Sequence, residues 1–566
     1  MFSNLLNAQQ NALVSVRSQF ENKQQNILEE KIFVHTDKDF YLAGEIMWFK
    51  LYYVDANNHL PLDISKVGYV ELIDKEQKPV LQTKIELSQG EGHGSLYIPV
   101  SLNSGIYTLR AYTNWMKNFD ADFFFEKKFT VINSLKSPTE KSHFSKNYDA
   151  QFFPEGGDLV QGIESKIAFR VTDQSGHGLN FQGIILNRNN DTITSFRPLK
   201  FGIGNFSFIP KVTDAYRIII NLPDTTLIKE LPPVYEQGYT INITPDGSHF
   251  RIKVQTNIKS ANTVYLFAHT RQMIKLNEQL SLINGAAEFM LDKNKLGEGI
   301  SHLTVFNSEN KPVCERLVFI KSGSKLIIEP TTPQLQFTNR KKVKLTINSS
   351  DESGKPIPAN MSLSVYQLDS LQYISGDNIN NYIWLTSDLK GNIESPDYYF
   401  SGDSMADKAI DNLMLTHGWR RFVWQDVLQN TKQTFSFLPE WQGHIITGKI
   451  SDIKTGKPTA NILTYLSVPG NRIQMYGSES DSSGNIRFYT KDFRGSNEIV
   501  LQTDDRHDTT YKLEITSPFT TKYSSRHLPV FNLDNYLKNS LIDNNVAVQV
   551  QNSFNGEKLK QFYTPE

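Results

Sequence analysis

Apolar and polar residues alternate over short runs along most of the chain. Ile32 and Val34 interleave with Phe33 and His35, and a polar corner follows at Thr36-Asp37-Lys38-Asp39. Tyr41-Leu42-Ala43-Gly44-Glu45 leads into the aromatic-rich run Ile46-Met47-Trp48-Phe49-Lys50-Leu51-Tyr52-Tyr53-Val54. Strand, polar corner, glycine and long strand predict the opening of a β-sandwich, with Gly44 at the bend. Alternation over Ser104–Tyr112 puts Ile106, Thr108 and Arg110 on one face and Tyr107, Leu109 and Ala111 on the other. Gly90-Glu91-Gly92-His93-Gly94 reads as a turn before the strand from Ser95 to Ile98. A strand, not a helix, follows it, which argues against a phosphate-cradling loop.

Two stretches show helical spacing instead. Val16, Phe20 and Ile27 fit one stripe of an amphipathic lead-in. Ile410, Leu413 and Met414 form another over Ala406–Thr416, with a stop near His417-Gly418. Lys408 and Asp411 fall on the polar face opposite, and the stripe is expected to bury against the neighbouring fourth sandwich.

The fold class expected is all-β: tandem immunoglobulin-like or macroglobulin-like sandwiches with a short helical insertion. A turn phrase recurs at Asp173–Gly178, Asp351–Pro356 and Asp452–Pro458, spaced as in tandem modules. The divisions are a lead-in over 1–29, sandwiches over 30–134, 146–232, 236–322 and 324–433 (the last with the helical segment), a smaller sandwich over 441–516, and a polar tail over 517–566.

Several residues carry a family resemblance. Thr36-Asp37-Lys38, Tyr41, Gly44-Glu45 and Phe49-Lys50 resemble the opening of the second macroglobulin-like domain of alpha-2-macroglobulins. Gly105–Tyr112 and Ala359–Val365 are similar to further strands of that family. The phrase from Leu413 to Phe422 resembles large envelope proteins of Bacteroidota type. Asp481–Phe488 is similar to a turn of carboxypeptidase regulatory-like domains, which bring no peptidase activity. In similar longer proteins a plug-like domain of TonB-dependent receptors can follow. Alpha-2-macroglobulins trap proteases through a thioester cysteine flanked by glycine and glutamine. Here Cys314 stands in Val313-Cys314-Glu315-Arg316, which excludes that thioester.

The 566 residues fit several domains. Lys and Arg number 59 against 60 Asp and Glu, so no basic face points to nucleic acid. The single cysteine excludes an internal disulfide framework; it is expected as a small buried side chain on a closing strand. No apolar run of about eighteen residues occurs, so no membrane-spanning helix is expected. Leu5–Gln10 reads in two ways, as the end of a signal peptide cleaved after Ala8 or as an accidental likeness.

Candidate chemistry is sparse. His35, Asp37 and Asp39 alternate as metal ligands would, but an exposed polar corner explains them. Asp504–Asp508 is a solvated loop, with weak calcium binding as the lesser reading. Trp115, Trp384, Trp419, Trp424 and Trp441 are either a sugar platform or packing residues, and packing is the plainer reading. No cofactor and no catalytic residue is assigned. Trp419, Arg420, Arg421 and Trp424 are the candidate partner contacts, because aromatic and arginine side chains are enriched at binding hot spots. They lie in 405–424, expected to join the fourth and fifth sandwiches; burial between domains is the plainer alternative.

The expectation is a non-enzymatic, exported cell-envelope scaffold or binding protein, in the periplasm or on the outer-membrane surface. Its expected partner is a protein there, such as a TonB-dependent transporter or assembly. The alternatives are the accessory sandwiches of a polysaccharide-degrading enzyme and a thioester-less, protease-binding macroglobulin.

Overall fold

In the computed structural model the run Ile46–Asp55 is a strand between Glu30–Thr36 and Glu91–Tyr97. Met47, Phe49, Leu51 and Tyr53 point inward and are buried, while Trp48 faces out. The corner before it is fixed by hydrogen bonds. The Asp37 carboxylate accepts from the Tyr41 hydroxyl at 2.7 Å and from the Trp48 amide at 2.9 Å. Lys38 pairs with Glu45 at 2.6 Å, and Glu45 accepts from the Leu42 amide at 2.7 Å. Gly44 takes φ +100°, a left-handed value that a side chain penalises. The residues shared with the macroglobulin phrase are those that tie this corner.

The structure describes residues 16–136, 147–211, 215–338, 341–372, 376–418, 422–429, 434–469, 473–491, 498–504, 509–526, 528–529, 531 and 538–563. Leu5–Gln10, most of the 134–145 linker and 505–508 lie outside them. The architecture is all-β, with sandwiches following one another along the chain. Among the described residues no helix is long and apolar enough to cross a membrane.

The chain divides into two compact units. One comprises Gln25–Lys146, Val365–Ile379 and Thr431–Glu566. It holds the first sandwich, whose second sheet orders Phe40–Leu42, Phe125–Ile132, Gly105–Thr113, Val67–Ile73 and Pro79–Glu86. Of the glycine-rich run expected as a turn, Gly90 does turn, at φ +81°, but Glu91–Gly94 belong to the strand Glu91–Tyr97. Its glycines are packing residues. A Cβ at Gly92 would lie 2.6 Å from the Glu86 carbonyl oxygen, and one at Gly94 would lie 2.4 Å from the Ile85 side chain. This unit also holds the small last sandwich. There Ile445–Asp452 lies between Asn485–Tyr489 and Tyr511–Ile515, over a core of Ile446, Ile450, Leu466, Val468, Ile486 and Phe488. Leu541 and Val548 of the helix Lys538–Tyr563 pack with Phe40, Leu42, Ile132 and Leu371.

The other unit comprises Met1–Gln24, Asn147–Ser364 and Asn380–Asn430. Its first sandwich centres on Ser165–Asp173, paired with Tyr148–Pro154 and Ile203–Phe208, around Phe169, Phe196 and Phe206. Its second sets Tyr239–Asp246, His249–Thr256 and Ala286–Asp292 against Met273–Ser281, Thr263–Thr270, Gly299–Asn307 and Pro312–Ile320. Cys314 is buried in that core, and burial pushes its thiol up.

Two features differ from expectation. Over 324–433 the described residues form one two-stranded sheet, Ile327–Thr331 with Thr346–Ser350, in place of a sandwich. The run Ala359–Val365, expected as a strand, is not one in the structure, and Leu363 and Val365 stand 61% and 84% exposed. Alternation provides a face for burial, but a layer forms only where strands meet to pair. The helix Ala406–Thr416 also packs elsewhere than on a fourth sandwich. Ile410, Leu413 and Met414 meet Ile203 of one complete sandwich and Ile300 and Leu317 of the next. The stripe follows available apolar surface, and those sandwiches supply it. In the same unit the helical residues 16–24 bury Val16 and Phe20 against Tyr265, Phe267, Phe306, Phe422 and Trp424.

Candidate functional site

On the first sandwich, strand Val67–Ile73 places Glu71 opposite Arg110 of Gly105–Thr113. Both side chains are wholly buried, with Arg110 Nε 2.6 Å from Glu71 Oε2. The Tyr112 hydroxyl donates to the same carboxylate oxygen at 2.8 Å, and Gln82 Nε2 donates to the other at 2.7 Å. The carboxylate is therefore saturated and holds the guanidinium in one orientation.

That orientation aims the remaining guanidinium N–H groups at an extended segment beyond the last sandwich. Arg110 Nη2 donates to the Thr520 carbonyl at 2.8 Å, and Nη1 donates to the Lys522 carbonyl at 2.7 Å. The Thr520 amide donates to the Tyr112 hydroxyl at 2.9 Å. Burial, reinforced by Glu71, holds that hydroxyl in its protonated form. The Tyr523 ring covers the guanidinium, its centroid 4.5 Å away.

Both ends of this strap are fixed. Lys117 Nζ donates to the Pro518 carbonyl at 2.8 Å, and Phe519 meets the edge of Tyr69. Burial depresses the Lys117 ammonium to about 8, against the pull of Glu440 and Glu71. At the other end Asp122 accepts from the Ser525 amide at 2.9 Å. Glu126 accepts from the Ser524 hydroxyl at 2.8 Å; burial raises its pKa, against the pull of Arg526. Cations meet carbonyls at one end and carboxylates meet donors at the other. Most of these bonds go to the strap's main chain, so the slot reads an extended backbone more than its side chains.

Alternation had put Arg110 on one face of its strand with Ile106 and Thr108. Its role was missed because the covering segment lies 410 and 412 positions further along. The available signal was one Arg and one Glu facing each other on otherwise apolar and aromatic strands.

The predicted contact residues Trp419, Arg420 and Arg421 lie outside the described residues. Trp424 is not a surface contact: it is 1% exposed, and its Nε1 donates to Thr304 Oγ1 at 3.2 Å. Phe20, Phe267, Phe306 and Phe422 surround it. Asp39, of the candidate metal set, pairs with Lys127 at 2.5 Å, while Asp37 ties the corner. Among the described residues no group of three metal-ligating side chains converges. The indole N–H of Trp115 donates to the Leu28 carbonyl, and Trp384 lies beneath the Arg271 guanidinium, 5.1 Å away.

A second buried ionic cluster lies in the other unit. Arg316 Nε pairs with Glu155 at 2.9 Å, and Nη2 pairs with Asp411 of the helix at 2.5 Å. Glu155 also accepts from Asn242 and from the Ile243 amide. Nearby, His417 lies 3.3 Å from Arg170 in a small pocket that Phe201, Asn392 and Leu413 also line. Burial and that guanidinium hold His417 down at about 3, so it is neutral.

Ladders, cores and slot together define an all-β protein of serial sandwiches with a built-in site for extended chain. No protein-family profile matches the chain, and no curated protein matches it. Solved structures similar to it include Escherichia coli alpha-2-macroglobulin activated by porcine elastase. That similarity has 11% identity and a TM-score of 0.21, covering 89% of this chain and 44% of that one. Salmonella alpha-2-macroglobulin reacted with methylamine is similar at 9% identity and TM-score 0.16, covering 86% and 39%. A tetra-tandem repeat from the extending region of a large adhesion protein is similar at 6% identity and TM-score 0.16, covering 87% and 100%. The chain thus spans less than half the length of the macroglobulins. The all-β assignment rests on the strand ladders themselves.

Proposed function

We propose that the chain is a non-enzymatic, exported binding scaffold of a cell envelope whose first sandwich holds extended polypeptide by its main chain. The observation that carries this reading is Arg110: a fully buried guanidinium, locked by Glu71, with two N–H groups on successive outward carbonyls. Such a group recognises a strand-like segment with little regard to sequence. The macroglobulin-like corner at Thr36–Glu45 and the Leu413–Phe422 phrase favour an envelope setting. The partner is then an envelope protein that presents an extended segment, and a TonB-dependent assembly is one such partner.

The test is competition for the slot in the full-length chain. Phe519→Ala with Tyr523→Ala loosens the strap without touching the sandwich core. A fluorescent peptide of sequence 517–526 is expected to bind this variant saturably and to bind the unaltered chain far more weakly. Adding Arg110→Met with Glu71→Leu, which removes the pair together, is expected to abolish binding. A folded variant with a protease-accessible strap and no peptide binding would sink the proposal.

A further inference from the structure

Strand Ile327–Thr331 has one partner among the described residues, Thr346–Ser350. All five of its residues are exposed. The outer edge of the partner strand is already used: the Ile357 amide donates to the Ser349 carbonyl, and Ser350 bridges to Pro356. The open edge of this sheet therefore belongs to Ile327–Thr331. Leu326, just before the strand, and Ile327 and Ile328 at its start stand 46%, 37% and 48% exposed. A two-stranded ribbon is marginal alone in water, and an apolar exposed edge is one that pairs.

The residues along this edge say what pairs with it. Lys325-Leu326-Ile327-Ile328-Glu329 is chemically symmetric about Ile327, with an apolar neighbour on each side and opposite charges beyond. An antiparallel pairing of two copies about a two-fold axis at Ile327 sets Leu326 across from Ile328, twice. It also sets Lys325 across from Glu329, twice. Neither charged side chain has an ion-pair partner among the described residues. Neighbouring registers fail. An axis at Leu326 puts Lys325 across from Ile327. An axis at Ile328 puts Ile327 across from Glu329, and an axis at Glu329, the middle of the strand, sets that carboxylate against its own copy.

We propose that this edge is a self-association site, and that its partner is the same strand of a second copy. The product is a four-stranded antiparallel sheet in which Lys325 and Leu326, which precede the strand in the single chain, extend it on pairing, with residues directly opposed across the axis about 4.5–5.5 Å apart. The inference is independent of the strap and its slot.

Analytical ultracentrifugation of the full-length chain over a concentration series tests it. The unaltered chain is expected to show a reversible monomer–dimer equilibrium. Lys325→Glu and Glu329→Lys each turn two attractive cross-strand pairs into two repulsive ones, and each is expected to weaken the dimer about tenfold. The double variant restores opposite charges and is expected to return to near the original affinity, a rescue that loss of folding does not give. Ile327→Cys is expected to form a disulfide-linked dimer on oxidation, since the two introduced thiols meet at the axis and Cys314 is buried. Glu329→Cys, facing Lys325, is expected not to. A chain that stays monomeric up to its solubility limit overturns the proposal. So does a dimer indifferent to both charge reversals, or one that Ile327→Cys does not cross-link, since each places the contact elsewhere.

Discussion

Removing the Arg316 guanidinium is the sharpest perturbation available in the unit that carries the helix Ala406–Thr416. Arg316 is 3% exposed as a residue and Glu155 is equally enclosed. Arg316→Met keeps most of the side-chain volume but leaves the buried Glu155 carboxylate without its guanidinium. Its remaining partners are Asn242, the Ile243 amide and Lys166 at 3.5 Å. Breaking a buried pair by deleting one partner costs about 3–5 kcal/mol. Asp411 adds little, because it is 36% exposed and water replaces its partner. Cys314, two residues away on the same strand, is a built-in reporter, since it is the only cysteine and is buried. Its labelling by a bulky thiol reagent requires the unit to open. The expected loss of protection is roughly a hundredfold to a few thousandfold, at about 1.4 kcal/mol per tenfold. Adding Glu155→Gln to the same background should recover part of that loss, because the stranded charge is then gone. Arg316→Met protein whose Cys314 reacts no faster than in the unaltered chain would refute the reasoning.

His417 is folded neutral with its pKa near 3 against an ordinary 6.5, so the unfolded chain binds the extra proton between those values. Stability is therefore full above about pH 6.5 and falls as pH drops towards about 3, by up to about 1.4 kcal/mol per pH unit. Burial depresses His269 too, which steepens the same slope. Thermal melts of the unaltered chain and His417→Gln at about pH 7 and about pH 4.5 should show the flatter response in the variant. Gly44→Val forces a branched side chain into φ +100° and is expected to cost about 1–3 kcal/mol, read as a lower melting temperature. Tyr41→Phe deletes the hydroxyl that donates to Asp37 at 2.7 Å and accepts from the Lys38 amide at 3.1 Å. Calorimetry should show a loss of about 1–3 kcal/mol.

What the sequence made legible was local. Alternation over Ile46–Asp55 separates buried Met47, Phe49, Leu51 and Tyr53 from outward Trp48, because a period of two is a property of one strand. Helical spacing over Ala406–Thr416 marks the side that is buried, but it cannot name the surface that buries it. The Gly92 and Gly94 run was misread as a turn because close packing and a bend both call for glycine. Ala359–Val365 carries a strand pattern but is not a strand, since strand formation depends on distant segments as well as on local alternation. Arg110 could be placed on a face with Ile106 and Thr108, but what covers that face is a strap far along the chain. The candidate contact at Trp424 failed for a related reason: a tryptophan rich in potential contacts is as well suited to a core as to an interface.

The packing of Phe20 against Trp424 also sets an order of events during synthesis. The helix at 16–26 emerges from the ribosome early, yet the aromatic cluster that receives it is complete only after Trp424 and Val427 have been made. Until then Val16 and Phe20 have no full partner surface, and closing so long a loop is slow. A chain captured partway through synthesis would present this helix uncovered, as a handle for a holding chaperone. Fragments designed to begin at the first sandwich would leave Tyr265, Phe267 and Phe306 partly uncovered, and those fragments should aggregate through that patch.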